Sequence, residues 1–358
     1  MLENLFRLSE NNTTARTEIL AGLTTFLTMA YIVFVQPAVL SKDFAGMPTG
    51  LDFGAVLLAT CLAASATSIF MGLYARYPIA LAPGMGENLF FVSVIMALAG
   101  HGIADAWRVA LGIVFISGVI FLALSLLRVR EAILDTISPS MRNGIAVGIG
   151  LFIAFIGLRA GGLITGKPGT LIGMNAQLAS ADVAVFLLGL LVTAVCHIRR
   201  LRGSILWGIV AGALLALVLG KIKLAGVFGL PQIQNHAAFQ MDLKAALSWT
   251  CLPFILVFVF MNIFDTLGTL IGVAEQAGFV KNNKLPRASR VLVVDAAGTV
   301  AGAALGTSTI VCYIESITGV AFGGRTGLTS VVTGLLFLVP LLLGPLVGNF
   351  AGSQPVSR

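Results

Sequence analysis

A chain of 358 residues that is 58% hydrophobic and only 10% charged lacks the polar surface of a large soluble enzyme, since soluble domains carry about 25% charged residues. Its formal net charge of +7 does not signal nucleic acid: the basic residues fall between long apolar runs, where membrane orientation requires them. With a mean hydropathy of +0.99 and apolar runs of about 20 residues, the chain reads as an all-α polytopic membrane protein.

The first segment, 1–17, is polar and has no apolar core of a signal peptide. Apolar runs follow at 18–40, 53–75, 79–99, 105–127, 143–163, 181–198 and 203–220. A polar connection at 221–247 leads to further runs at 248–273, 291–305, 307–323 and 327–348, and a polar tail occupies 349–358. Cys61, Cys196, Cys251 and Cys312 lie in or beside these runs without metal spacing or a CxxC pair. Buried free thiols are therefore expected, with no disulfide framework, metal or cofactor. With the N-terminus inside, Arg128, Arg130, Arg199, Arg200, Arg202, Lys281, Lys284, Arg287 and Arg290 fall on the cytoplasmic side. Fewer basic residues, among them Lys42, Lys167, Lys221 and Lys244, fall outside. The bias predicts a cytoplasmic N-terminus.

Two runs are irregular. The third contains "LAPGMGENLFF", where Pro83, Gly84 and Gly86 break any regular helix. The tenth is short and contains "TSTIVCYIES". Such interruptions are tolerated at membrane depth only where the backbone lines a cavity or is buried in protein. The two lie seven spans apart, and an odd offset makes the second copy cross in the opposite sense. That is the pattern of an inverted repeat, in which paired broken segments point to a transport site. If seven spans form one unit, the second unit has four before Arg358, so the chain reads as cut short.

Acids inside spans are rare and mark functional sites by default. Asp265 in "FVFMNIFDTLGTLIG" and Glu315 in the broken tenth run are such acids. The bland alternative for each is a protonated structural group bonded to a neighbouring helix. Asn262 and Thr269 lie one turn on either side of Asp265 and complete a polar stripe, which serves either as helix–helix glue or as a pathway lining. Ser308 belongs to the hydroxyl-rich stretch before Glu315. Glu87 and Asn88 close the glycine break. Adjacent helical residues point about 100° apart, so one of the two is expected to face a ligand, and Asn88 offers both donor and acceptor. Asp295 and Glu275 sit near run ends and read as interfacial charges. His101, His197 and His236 lie in loops or at run edges and receive no role. Neither "GMGEN" nor "GGRTG" has phosphate-loop spacing.

The stretches "NNTTARTEILAGLTTFLTMAYIVFVQPAVL", "LAPGMGENLFF", "NGIAVGIGLFIAFIGL", "FDTLGTLIGVAEQAG" and "YIESITGVAFGGRTGLTSVVTG" closely resemble the nucleobase–cation symporters of the AzgA-like branch. These are adenine, guanine and hypoxanthine permeases. The resemblance runs from about residue 10 to about residue 346. It implies an inverted-repeat (7+7) fold of 14 spans, of which about 11 are present, with short extended segments in spans 3 and 10 that meet at the substrate. It implies a core domain of spans 1–4 (18–127) and 8–11 (248–348), a gate domain whose spans 5–7 lie in 128–220, and missing spans 12–14. By motif match Asn88, Asp265 and Glu315 fall on substrate-contact positions. The position one turn before Asp265, often acidic in relatives, is Asn262 here.

The implied activity is uptake of purine bases by proton symport across a bacterial inner membrane, with a homodimer as the expected assembly and no nucleic-acid partner. The chemistry agrees: carboxylates accept hydrogen bonds from the ring N–H and exocyclic amine of a neutral purine, and an Asn amide matches both donors and acceptors. Burial disfavours the charged form of a carboxylic acid, so Asp265 or Glu315 is expected to carry the coupling proton. Three rivals remain at this point. A sulfate-type anion transporter shares the repeat architecture but should offer basic residues and helix N-termini. A membrane-embedded enzyme needs a nucleophile–base or metal set, which the spacing does not supply. A truncated remnant would not transport at all.

Overall fold

The computed structural model describes residues 2–44, 46–127, 139–166, 172–201, 203–221, 228–279 and 287–350. The connections 128–138 and 280–286 lie outside the described residues, as do Lys167, Arg202 and the tail 351–358.

A short helix α1 (Leu2–Phe6) precedes the first span. That span is α2 (Ala15–Met29) and α3 (Ile32–Leu40), separated at Ala30–Tyr31. Thr14 caps α2 by accepting from the Thr17 N–H at 3.2 Å. The second span is α4 (Phe53–Phe70), capped by Asp52, which widens into a π-turn at Met71–Ala75. The third is strand β1 (Leu81–Pro83) followed by α5 (Met85–Gly100). Pro83 forces the residue before it into extended backbone, which starts the break as a strand. The chain continues through α6 (Ala106–Leu126), α7 (Pro139–Ala160) and a small hairpin of β2 (Ile164–Thr165) and β3 (Gly173–Met174). Next come α8 (Ala181–Ile198), α9 (Ser204–Val218) and the single turn α10 (Leu243–Ala246). The later spans are α11 (Leu252–Ala277) and α12 (Ala288–Leu305). Strand β4 (Ile310–Cys312) then leads into α13 (Ser316–Phe322), and α14 (Gly327–Leu336) and α15 (Gly344–Phe350) follow. Among the described residues six helices are long and apolar enough to cross a bilayer.

The two broken spans meet. Strands β1 and β4 pair antiparallel, with Leu81 opposite Cys312 and Pro83 opposite Ile310. The ladder is extended by Gly84 N–H to the Thr309 carbonyl at 3.1 Å and Tyr313 N–H to the Ala80 carbonyl at 3.0 Å. A two-stranded sheet has two open edges, and each unpaired backbone group in a dry interior costs several kcal/mol or roughly that. Hydroxyls from the surrounding helices close these edges. Ser68 of α4 accepts from Leu81 N–H at 2.9 Å, and Thr299 of α12 donates to the Ile310 carbonyl at 2.9 Å. Ser316 of α13 accepts from Ala80 N–H at 3.1 Å, and Ser330 of α14 donates to the Ile79 carbonyl at 2.6 Å. A carboxylate completes the set: Asp295 Oδ1 accepts the Cys312 N–H at 3.0 Å while Thr266 of α11 donates to Oδ2 at 2.5 Å.

That last contact corrects the expectation for Asp295. The residue is fully buried in the middle of α12, not an interfacial charge. Only four residues separate it from Arg290, and that proximity gives the false impression of a span end.

The sheet lies within a continuous apolar interior. Helix α6 packs on α11 and α12, and α14 packs on α2 and α4. The pair α8 and α9 pack on each other through small residues such as Gly189 and Gly208, as membrane helices do. Helix α8 presents Leu187, Leu190, Leu191, Val195 and Ile198 outward, an apolar face suited to lipid.

A further clamp was not visible in the pattern of apolar runs. Glu18 of α2 is fully buried, and its carboxylate accepts the N–H of Arg325 at 2.8 Å, of Thr326 at 3.2 Å and of Thr329 at 3.3 Å, together with the Thr329 hydroxyl at 2.6 Å. A carboxylate at the start of α14 satisfies donors that have no partner within that helix and complements its dipole. The "GGRTG" stretch is thus a loop wrapped on an acid of the first span.

Candidate functional site

The break in the first span brings Tyr31 to the sheet, and the breaks in the third and tenth spans bring Glu87 and Glu315 to it. Together with α11 they enclose a cavity of about 150 Å³. Its polar lining is Tyr31, Glu87, Asp265, Thr269 and Glu315; Met85, Val311, Tyr313 and Ile314 supply apolar and aromatic walls. A cavity of about this volume admits a small flat ring.

Each polar side chain is held by its element. Glu87 is in the first turn of α5, where a carboxylate is favoured by the helix dipole. It folds back over Gly84, where an added β-carbon would press on the Glu87 carboxylate and push it from this position. Glu315 immediately precedes α13 and accepts the Tyr31 hydroxyl at 2.9 Å. Asp265 and Thr269 lie one turn apart on α11 and both reach the cavity. Asp265 is near enough to Glu315, Asp295 and Glu87 for their charges to act on one another.

The sequence-derived residues therefore divide. Asp265, Thr269 and Glu315 share the cavity. Asn88 and Ser308 do not line it. They lie behind it in a buried network in which Asn88 exchanges hydrogen bonds with the Gln36 amide and accepts the Ser308 hydroxyl. Gln36 also reaches Thr307 at 2.9 Å and Ser308 at 3.1 Å. The network ties α3, α5 and the segment before β4. Of the adjacent pair, it is Glu87 and not the expected Asn88 that lines this cavity. The first turn of α5 directs Glu87 to the cavity and leaves the Asn88 amide to pair with Gln36. Asn262 is buried one turn before Asp265, with no hydrogen-bond partner for either amide atom among the described residues, and it lies outside the lining of this cavity. Tyr31 and Gln36 escaped the sequence reading. Gln36 carried the same signal as Asp265, a lone polar residue in an apolar run; Tyr31 carried none.

The sequence model described as the permease family matches residues 16–355. The chain belongs to that family. Over 98% of its length this permease is 42% identical to the adenine permease AdeP of Escherichia coli (strain K12), covering 77% of that protein. It is 43% identical to the guanine/hypoxanthine permease PbuG of Bacillus subtilis (strain 168), with 97% of this chain and 79% of that protein covered. Among solved structures, the transmembrane domain of the cyanobacterium bicarbonate transporter BicA matches with a TM-score of 0.65 at 15% identity, covering 94% of this chain and 86% of that one. That likeness is one of fold, the inverted-repeat transporter architecture; the six long apolar helices and the permease relatives make this a multi-pass membrane protein. The paired broken spans are the part of that architecture that builds the cavity.

Proposed function

We propose that this permease takes up purine nucleobases by proton symport across the bacterial inner membrane, with its N-terminus in the cytoplasm. The observation that carries the reading is the cavity itself. Three carboxyl groups, Glu87, Asp265 and Glu315, meet a tyrosine hydroxyl and aromatic and apolar walls in a space suited to a flat ring. Relatives named as adenine and guanine/hypoxanthine permeases support the substrate class.

A neutral purine presents N–H donors to these oxygens, and its ring stacks against the apolar walls. Carboxyl groups that share one cavity exchange protons as a set; a proton taken up with the base from one side and released on the other couples the two fluxes. No Lys or Arg occurs among the described residues of the lining, which speaks against an anion as substrate and against the sulfate-type alternative. The lining equally offers no metal cluster among the described residues. Relatives named as permeases favour transport over a membrane-embedded reaction. In this reading spans 1–4 and 8–11 form the moving core, which carries the cavity past spans 5–7, and two copies associate as a homodimer.

The test is accumulation of radiolabelled adenine and hypoxanthine in a bacterial strain lacking its own purine permeases. Glu315→Gln keeps the shape and one acceptor but cannot release a proton. It is expected to lower accumulation at least about tenfold, the worth of a charge-assisted hydrogen bond, whereas exposed Asp105→Asn leaves it unchanged. Accumulation that survives a protonophore overturns the proton coupling. Failure of the parent chain to take up either base overturns the substrate assignment.

A further inference from the structure

Four arginines from four separate segments converge on a second cavity, of about 220 Å³, at one end of the bundle. Arg7 follows α1, Arg76 ends the π-turn after α4, Arg287 precedes α12, and Arg325 lies between α13 and α14. Glu10 and Asn11 share the lining. Glu10 is taken by Arg7 at 3.4 Å. Among the described residues, Arg76, Arg287 and Arg325 have no carboxylate partner. Glu18, the buried acid close to this loop, spends its oxygens on the Arg325, Thr326 and Thr329 N–H groups. The guanidinium of Arg287 is held over the Tyr77 ring at 5.0 Å, and that of Arg325 is anchored by Nη1 to the Val320 and Gly324 carbonyls at 2.8 and 3.0 Å.

The backbone adds an independent observation. Arg7, Arg76 and Arg287 adopt φ of 52°, 57° and 60°, a left-handed conformation uncommon for any residue with a β-carbon. Glycine would satisfy such turns without strain, so arginine at three of them points to a task for the side chain. Basic residues that serve only to orient a membrane protein need water around them, not a shared cavity. Like charges gathered in one cavity repel, and the field they focus attracts an anion.

We propose that this cavity binds a phosphate group, presented either by an anionic lipid headgroup or by a soluble phosphate compound. Guanidinium forks match phosphate oxygens two at a time, and a group bound here bridges the segments that lead into α2, β1, α12 and α14. Three of those segments flank the β1–β4 sheet, so occupancy is expected to stiffen the scaffold of the transport cavity. The site stands apart from the three carboxyl groups and does not depend on the purine reading.

The experiment follows thermal unfolding of the purified full chain in dodecyl maltoside, titrated with inorganic phosphate against chloride at equal ionic strength. Native mass spectrometry after reconstitution in phosphatidylcholine vesicles, with and without phosphatidylglycerol, counts retained lipid. A soluble ligand predicts a saturable rise in melting temperature with phosphate and no retained phosphatidylglycerol. A lipid headgroup predicts retained phosphatidylglycerol with a weak phosphate response. In either case Arg76→Gln/Arg287→Gln weakens the response at least about tenfold. Arg76→Lys/Arg287→Lys, which preserves charge and folding but loses the fork, gives a smaller loss and is decisive alone should the glutamine variant not fold. If neither phosphate nor phosphatidylglycerol differs from its control, or if both variants respond like the parent, the proposal is wrong.

Discussion

The buried acids differ by what their oxygens meet. Glu18 and Asp295 are occupied by backbone N–H and hydroxyl donors, whereas Glu87, Asp265 and Glu315 open onto the cavity. The first two hold elements in place and the last three are available to a ligand. Replacing Asp295 separates these roles. Asp295→Asn retains an acceptor for the Cys312 N–H and a donor for the Thr266 hydroxyl, so folding is expected to survive with little change. Asp295→Ala strands both partners in a dry interior and is expected to destabilise the protein by about 1–3 kcal/mol, read as a lower unfolding midpoint in detergent. Equal midpoints for the two variants would remove Asp295 from the support of β4. Asp265 and Glu315 were legible in the sequence because each is a lone acid far from other charges in an apolar run. Glu18 and Asp295 were not, because nearby Arg16 and Arg290 make them look like ordinary boundary charges. Telling Glu87 from Asn88 needed the packing of the first turn of α5 against Gln36 and Ser308, which no local pattern encodes.

At the level of elements, hydropathy marks where the spans run, and proline with glycine marks where they break. What the sequence leaves unstated is how the breaks are sealed. Ser68, Thr299, Ser316 and Ser330 look like ordinary small polar residues within helices, and only the fold brings them to the edges of the β1–β4 sheet. Two glycines show how closely the breaks are fitted. A β-carbon at Gly327 would lie 1.9 Å from the Gly72 carbonyl oxygen, a backbone atom that cannot step aside, where α14 starts against the π-turn. One at Gly84 would instead press on the movable end of Glu87. Gly327→Ala is therefore expected to lower the unfolding midpoint, with a cost on the order of 1–3 kcal/mol for overpacking. Gly84→Ala is expected to keep the midpoint near that of the parent while impairing uptake. Gly148→Ala, where nothing lies within 4 Å of the added carbon, should change neither. A Gly84→Ala variant that transports normally would show that the inward position of Glu87 is dispensable.

For the molecule as a whole, orientation rests on a length and a charge asymmetry. Helix α11 has 26 residues, which at 1.5 Å per residue gives about 39 Å, more than the roughly 30 Å of a bilayer's hydrocarbon. The segments before and after it must then open on opposite faces. The segment that follows it includes Lys281 and Lys284 and runs on to Arg287 and Arg290, so this face is expected to be cytoplasmic. It is also the face that holds the arginine cavity, since Arg287 lines it together with Arg7 near the N-terminus. Two exposed positions report on the two faces: His236 in the connection before α10, and Arg290 in the first turn of α12. Cys61, Cys251 and Cys312 are buried, leaving Cys196 as the more accessible native thiol among the four. With Cys196 replaced by alanine, a cysteine introduced by His236→Cys should react with a membrane-impermeant maleimide in intact cells. One introduced by Arg290→Cys should react only after the membrane is opened. Reaction of both from the same side would mean that α11 does not span as a single helix. Reaction of Arg290→Cys alone in intact cells would invert the orientation, and with it the side of the membrane from which a phosphate group reaches the arginine cavity.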